Sequence, residues 1–170
     1  TKPLGTGALF AAHMQLAADG RDVSAAVSSM LQSNSAAAEL ALAHGARACT
    51  DITGFGLLGH LLEMLGGELG ARLVLADLPL LRGAIEQVRA GIVSTMHAAN
   101  VRSGGQLMQH SQPVDAARLQ MLFDPQTSGG LLIAIPAADA RTLCCALHQR
   151  DYVAASIIGE VTARKPGSAH

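Results

Sequence analysis

Thr50-Asp51-Ile52-Thr53-Gly54-Phe55-Gly56-Leu57-Leu58-Gly59-His60 constrains this chain more than any other stretch. Residues 47–52 read as a strand that delivers the Asp51 carboxylate into a run of glycines. Residues 56–65 follow at once as a helix with Leu57, Leu58, Leu61, Leu62 and Leu65 as its apolar stripe. The junction gathers three groups that suit a metal–phosphate ligand. A helix start offers free N–H groups and the positive end of a dipole. Glycines let a phosphate approach the backbone, and an aspartate beside them can hold Mg²⁺, a cation that prefers oxygen ligands. The same residues are also ordinary capping and turn chemistry, so spacing alone leaves both readings open.

Elsewhere, periodicity predicts helices over residues 8–18, 23–31, 36–44, 81–90 and 137–149, with one or two helical turns at 116–122. Asp22 precedes the second helix, whose Val23, Val27, Met30 and Leu31 share one side. Ser33-Asn34-Ser35 is a cap signal for the third, Gly45 stops it, and Gly66-Gly67 stops the fourth. Further strands are expected at 72–76, 131–135 and 154–161, the second of them an unbroken apolar run and so buried. Residues 91–105 read as irregular, Asn100 and Gly104-Gly105 among them. Asp124-Pro125-Gln126-Thr127-Ser128-Gly129-Gly130 reads as a turn-rich loop and 164–168 as a tail. The order is ααα, βαβα, βαβ with no internal repeat, which gives an α+β fold with a sheet covered by helices.

The 170 residues are 49% apolar and 15% charged, enough for one domain with a real core. With no Trp, one Tyr and three Phe, that core must be built from Leu, Ile, Val, Ala and Met. So little charge suggests that another domain or subunit covers part of the surface. A net charge of −1 without a Lys/Arg cluster argues against nucleic acid as a partner. No apolar run of membrane-spanning length and no signal-peptide pattern occur, which argues against a membrane. Cys49, Cys144 and Cys145 form neither a disulfide framework nor a zinc spacing and fit a reducing cytoplasm, with Cys144-Cys145 read as buried small hydrophobes. The seven histidines show no ligand spacing; His60 either faces a phosphate or lies on a helix face. The chain opens on Thr1 rather than Met, and Lys2-Pro3-Leu4-Gly5-Thr6-Gly7 reads as a linker or a phosphate-side loop of a fragment.

Gly54-Phe55-Gly56-Leu57-Leu58-Gly59 also matches G-x-G-x-x-G between a strand and a helix, with Asp77 placed where a dinucleotide fold puts its ribose-binding acid. Against this, the first strand of such a fold is an apolar run, whereas Thr50, Asp51 and Thr53 interrupt this one, and three helices precede it. No Walker pattern and no G-x-S-x-G elbow occur.

Together, Thr1-Lys2-Pro3-Leu4-Gly5, the Thr50 to His60 stretch and the Asp124 to Gly130 loop resemble selenophosphate synthetase (selenide, water dikinase), in order and separation, over the C-terminal half of that family. The resemblance implies a mixed β-sheet covered by helices, as in the C-terminal domain of aminoimidazole ribonucleotide synthetase-like proteins. It implies an enzyme that makes selenophosphate, AMP and orthophosphate from ATP, selenide and water with Mg²⁺. Asp51 matches the aspartate that this domain gives to the Mg²⁺–ATP site. Thr53, Gly54 and Gly56 would line the phosphates, and the Asp124 to Gly130 loop would shape the cleft edge. The reactive Cys or selenocysteine, an essential Lys and most metal-binding aspartates belong to an N-terminal domain, so no catalytic residue is expected in this stretch, and alone it would be inactive. The implied partners are that N-terminal domain and a second copy in a homodimer. The Ser94 to Asn100 segment departs from the stand-alone pattern and resembles variants fused behind a flavin-dependent oxidoreductase. The alternatives are another ATP-dependent member of the superfamily, or a dinucleotide-binding module using Gly54, Gly56 and Gly59.

Overall fold

Apolar spacing and glycine stops account for most elements of the structure, a computed structural model that describes residues 1–104 and 113–163. Three helices, α1 (Thr6–Met14), α2 (Gly20–Leu31) and α3 (Ser35–Ala43), lead into β1 (Ala48–Asp51) and α4 (Gly56–Leu65). Then come β2 (Leu69–Leu73), a 3-10 turn (Leu75–Asp77), α5 (Ala84–Arg89), α6 (His97–Gly104) and α7 (Ala116–Gln120), which passes into a second 3-10 turn (Met121–Phe123). The chain finishes with β3 (Leu131–Ala134), α8 (Ala137–His148) and β4 (Gly159–Ala163).

The α+β class stands. Within it, the strands divide differently from one sheet: among the described residues, β1 pairs antiparallel with β3 and β2 antiparallel with β4, in two separate ladders. Among the described residues the parallel pairing is a single bridge between Leu4 and Leu80, closed by Leu4 N–H to Pro79 O (2.9 Å) and Leu81 N–H to Leu4 O (2.8 Å). The β1–β3 register sets Thr50 opposite Leu132 and Asp51 opposite Leu131, and Ile52 N–H to Gly130 O (2.9 Å) carries the pairing past the strand end. Only Leu132 of β3 is buried; its neighbours are half-buried, so the apolar run marks a strand covered mainly on one face.

α4 is the best-specified helix. Leu57, Leu58, Leu61 and Leu65 are buried at i, i+1, i+4 and i+8, each burial contributing about 1.5–3 kcal/mol. Gly66 ends the helix in the left-handed conformation at φ 62°. Its stripe packs on Met121, Leu122 and Phe123, all at most 2% exposed, in the larger of two apolar clusters. The smaller one joins Ala37 of α3 to Leu143 and Leu147 of α8, Tyr152 and Ala155. The single Tyr is buried there because its hydroxyl is satisfied: it donates to Ser33 O (2.7 Å) and accepts from Ala37 N–H (3.1 Å).

Other boundaries moved for identifiable reasons. Asp19, not Asp22, caps α2, accepting from Arg21 N–H (2.8 Å). Asp22 lies inside the helix, nearly buried, and accepts from Arg82 Nε (2.6 Å). Ala26 turns inward, while Val27 and Leu31 stay exposed and Val23 and Met30 are half-buried. The strand expected at 72–76 sits at Leu69–Leu73, because Val74 N–H still reaches Ile158 O (2.9 Å) while Asp77 N–H turns back to Val74 O (3.0 Å). Residues 97–104, read as irregular, are helical. Cys145 is exposed and Cys144 half-buried, and neither is in either cluster. Gly105 and the 164–168 tail lie outside the described residues.

Gly56 is held at φ +70°, and a Cβ there would sit 2.8 Å from Leu122 O and 2.9 Å from the Phe123 carbonyl carbon. Gly56→Ala should therefore destabilise the domain by about 2–4 kcal/mol, from backbone strain plus a collision with rigid main chain. Chemical denaturation of the variant beside the parent measures this; an unchanged midpoint would mean that the junction repacks freely.

Candidate functional site

The first and third motifs are bound to each other. Gln126 Oε1 accepts from Gly5 N–H (3.0 Å), Thr6 N–H (3.3 Å) and Thr6 Oγ1 (3.2 Å), while its Nε2 donates to Asp124 O (2.8 Å) and Asp124 Oδ2 (2.9 Å). Asp124 Oδ2 also accepts from Gly7 N–H (3.1 Å), and Thr127 N–H donates to Thr6 Oγ1 (2.9 Å). These groups serve the orphan donors at the start of α1 that no local side chain caps. Lys2, 4% exposed, donates from Nζ to Ser128 O (2.9 Å), and burial lowers its pKa. Asn34 Nδ2 donates to Gly129 O (2.9 Å) instead of capping α3. The opening segment is thus neither a linker nor a free phosphate loop: it is buried beneath the Asp124 to Gly130 loop.

That bracket continues into the second motif. Gln126 N–H and Gly56 N–H both donate to Thr53 O, at 2.9 and 3.1 Å. Asp51 stands exposed at the end of β1, and its carboxylate has no hydrogen bond or ion pair among the described residues. Thr53, half-buried, lies 3.1 Å from His60 Nε2, and His60 Nδ1 lies 3.0 Å from Glu63 Oε2. His60 is buried, not on the surface of its helix.

The glycines behave differently from a bare phosphate cradle. Gly54 O accepts from Asn100 Nδ2 (2.9 Å), and Gly56 is pressed against the Leu122–Phe123 backbone. At Gly56 the missing side chain is what allows this packing, whereas a Cβ on Gly54 would meet only Met96 Cε, at 3.3 Å. Asn100 was not predicted to be a site residue; from α6 it also donates to Phe123 O (3.0 Å), so one buried amide holds the glycine turn against the 3-10 turn. The structure therefore brings Asp51, Thr53, Gly54 and Gly56 to one junction, with Asn100 and His60 behind it.

As a metal centre the junction is minimal: among the described residues no group of three His, Cys, Asp or Glu side chains could hold an ion. The dinucleotide geometry is not present among the described residues. β1 pairs with an antiparallel neighbour rather than inside a parallel crossover, and Asp77 lies in a 3-10 turn. No helix among the described residues is long and apolar enough to cross a membrane.

Residues 1–170 match the family described as AIR synthase related protein, C-terminal domain. The chain is 43% identical over 165 residues to a Trichlorobacter lovleyi protein named "Selenide, water dikinase", covering 96% of this chain and 47% of that one. Proteins of the same name from Shewanella baltica and Pelobacter propionicus are each 38% identical over 162 residues, or 95% of this chain, and 45% and 47% of their own lengths. The chain therefore spans less than half the length of the curated relatives it matches.

Asp124 generates a test of the bracket. It is fully buried, its Oδ1 has no partner, and burial pushes its carboxyl from 3.8 up to about 7 against the opposing pull of Gln126 and the Gly7 and Ala8 amides. A raised folded-state pKa means that the stability Asp124 contributes is fully present below about 4 and is lost as the pH rises through about 7. Asp19 and Asp115, whose carboxyls are held below the usual range, add a slope of the opposite sign and only at the acid end of that window. Asp124→Asn should flatten the dependence of melting temperature on pH between about 4 and 7; an unaltered slope would assign it to other groups.

Proposed function

The chain belongs to the family of AIR synthase related proteins as their C-terminal domain, and we propose that it forms the phosphate-side half of a selenide-activating dikinase. That enzyme would make selenophosphate, AMP and orthophosphate from ATP, selenide and water. The observation that carries the reading is the Asp51 carboxylate, exposed and unpaired at the end of a ladder whose surroundings are fixed by buried hydrogen bonds. The names of the relatives supply the substrate class.

Asp51 offers hard oxygens that fit Mg²⁺, and one carboxylate leaves most of an octahedral shell to phosphate oxygens, water and groups outside this chain. Such an ion, when bound, offsets charge on the transferring phosphoryl group. In this reading Asp51 anchors the ion, while Thr53, Gly54 and Gly56 set the edge of the phosphate cleft. The reactive nucleophile and essential lysine belong to an N-terminal domain that packs against this one, in a cytoplasmic homodimer. Another ATP-using member of the family would differ in its co-substrate, so dependence on selenide separates the two.

In the full-length protein carrying this domain, Asp51→Ala should lower selenide-dependent AMP formation by at least about 100-fold, since a lost metal contact removes several kcal/mol of charge stabilisation. The exposed position should leave the melting temperature within a few degrees of the parent. Near-normal turnover in the variant would sink the role of Asp51, and ATP hydrolysis indifferent to selenide would move the protein to another branch of the family.

A further inference from the structure

β3 has β1 on one side and only the first residue of the chain on the other. Leu131 N–H donates to Thr1 Oγ1 (2.7 Å), and Leu131 O accepts from the Thr1 nitrogen (2.9 Å). On the β1 side, Ile52 N–H to Gly130 O fixes the alternation, so Thr50 and Leu132 are the next pair bonded through their main chains. The N–H and C=O of Ile133 therefore point the same way as those of Leu131, onto the edge where Thr1 sits. They have no partner among the described residues. Unpaired main-chain groups on a strand edge are a template for one more strand.

The opening residues set the direction of such a strand. Thr1 stands beside Leu131, and Lys2 passes Gly130 so closely that a Cβ there would collide with the Lys2 nitrogen. The chain thus runs antiparallel to β3, and its extension backward from Thr1 passes Ile133 and then Ile135. At about 3.4 Å per residue, four residues cover that distance. A cavity of about 610 Å³ lies there, lined by Ile133 and Ile135 from one ladder and by Leu73, Ile157 and Val161 from the other. An aliphatic space of this size is a poor place for water and departs from the close packing of protein interiors.

We propose that the segment leading into Thr1 in the full-length protein is a strand antiparallel to β3, bonded to Ile133 and filling this cavity with apolar side chains. The inference rests on the N-terminal domain of the reading above; the chain covers 47% of the Trichlorobacter lovleyi relative, so more than half of such a protein lies outside it. β3 then has the Asp51 strand on one edge and the chain arriving from the other domain on the opposite edge, with Leu131 touching both. That arrangement fixes where Asp51 stands relative to the groups the N-terminal domain brings.

The test uses neither nucleotide nor selenide, so its failure leaves the Asp51 assignment standing, and loss of that assignment leaves the strand standing. In the full-length protein with its other cysteines replaced by serine, Ile133→Cys is combined with replacement of the second residue before Thr1 by cysteine. These positions face each other in the register that Thr1 sets, at a Cα spacing of about 5.5 Å that suits a disulfide. Mild oxidation should cross-link most molecules internally, while cysteine at the third residue before Thr1, on the opposite face, should not cross-link. Hydrogen exchange of the unsubstituted full-length protein should show the Ile133 amide slowed at least about 100-fold relative to an unstructured peptide. Equal cross-linking from both positions, or an Ile133 amide that exchanges at the unstructured rate, overturns the proposal. A disulfide that joins two chains assigns the edge to a second copy and overturns it as well.

Discussion

Buried hydrogen bonds centred on the Gln126 amide tie the start of the chain to the Asp124 to Gly130 loop. Gln126 Oε1 accepts from two backbone amides and a hydroxyl at the start of α1, and its Nε2 returns two hydrogen bonds to Asp124. Replacing that amide with an apolar group would strand several buried donors, each at a cost of about 1–3 kcal/mol. The residues concerned are more than a hundred positions apart in sequence, so the contact does what the two short ladders cannot: it fixes where the opening segment runs. Leu4 can bridge to Leu80, and Lys2 can lie under the Ser128 carbonyl, once that route is set.

From Gln126 the constraint passes directly into the junction that bears Asp51. The Gln126 main-chain N–H and the Gly56 N–H converge on the Thr53 carbonyl. A Cβ on Gly129 would collide with Ile52 O, so the Asp124 to Gly130 loop must be bare where it crosses the exit of β1. On the other side, Asn100 grips Gly54 O and Phe123 O. The main chain around Asp51 is thus held from three directions by bonds that leave the carboxylate alone. Preorganisation of this kind suits a group whose work is electrostatic, because little reordering accompanies binding of an ion or a phosphate.

What was legible in the sequence, and what was not, divides along physical lines. α4 was legible from end to end because its leucine period, its glycine stop and its burial all agree. The helical nature of 137–148 was legible for similar reasons. α6 was not: His97–Gly104 has no apolar stripe, and its order depends on Asn100 reaching partners 46 and 23 residues away. In α2, small Ala26 and Asp22, ion-paired to Arg82, go inward while Val27 and Leu31 stay exposed, which the apolar pattern does not reveal. Division of the strands into two ladders was likewise invisible, since period and composition mark a strand without naming its partner. At the site, the small size of Gly56 was read as room for phosphate, whereas a Cβ there would meet the Leu122–Phe123 backbone.

Two aspartates show how environment divides labour between identical side chains. Asp124 is sealed against the start of α1, with one oxygen bonded and the other without a partner, and burial makes its neutral form accessible near pH 7. A group in that state can knit backbone together but is poorly suited to hold a cation, because it sits behind protein and carries charge only at a cost. Asp51 has the opposite circumstances: an exposed position, no cationic partner among the described residues, and hydrogen bonds that hold the neighbouring main chain. Its charge is therefore free to act on whatever approaches the end of the ladder.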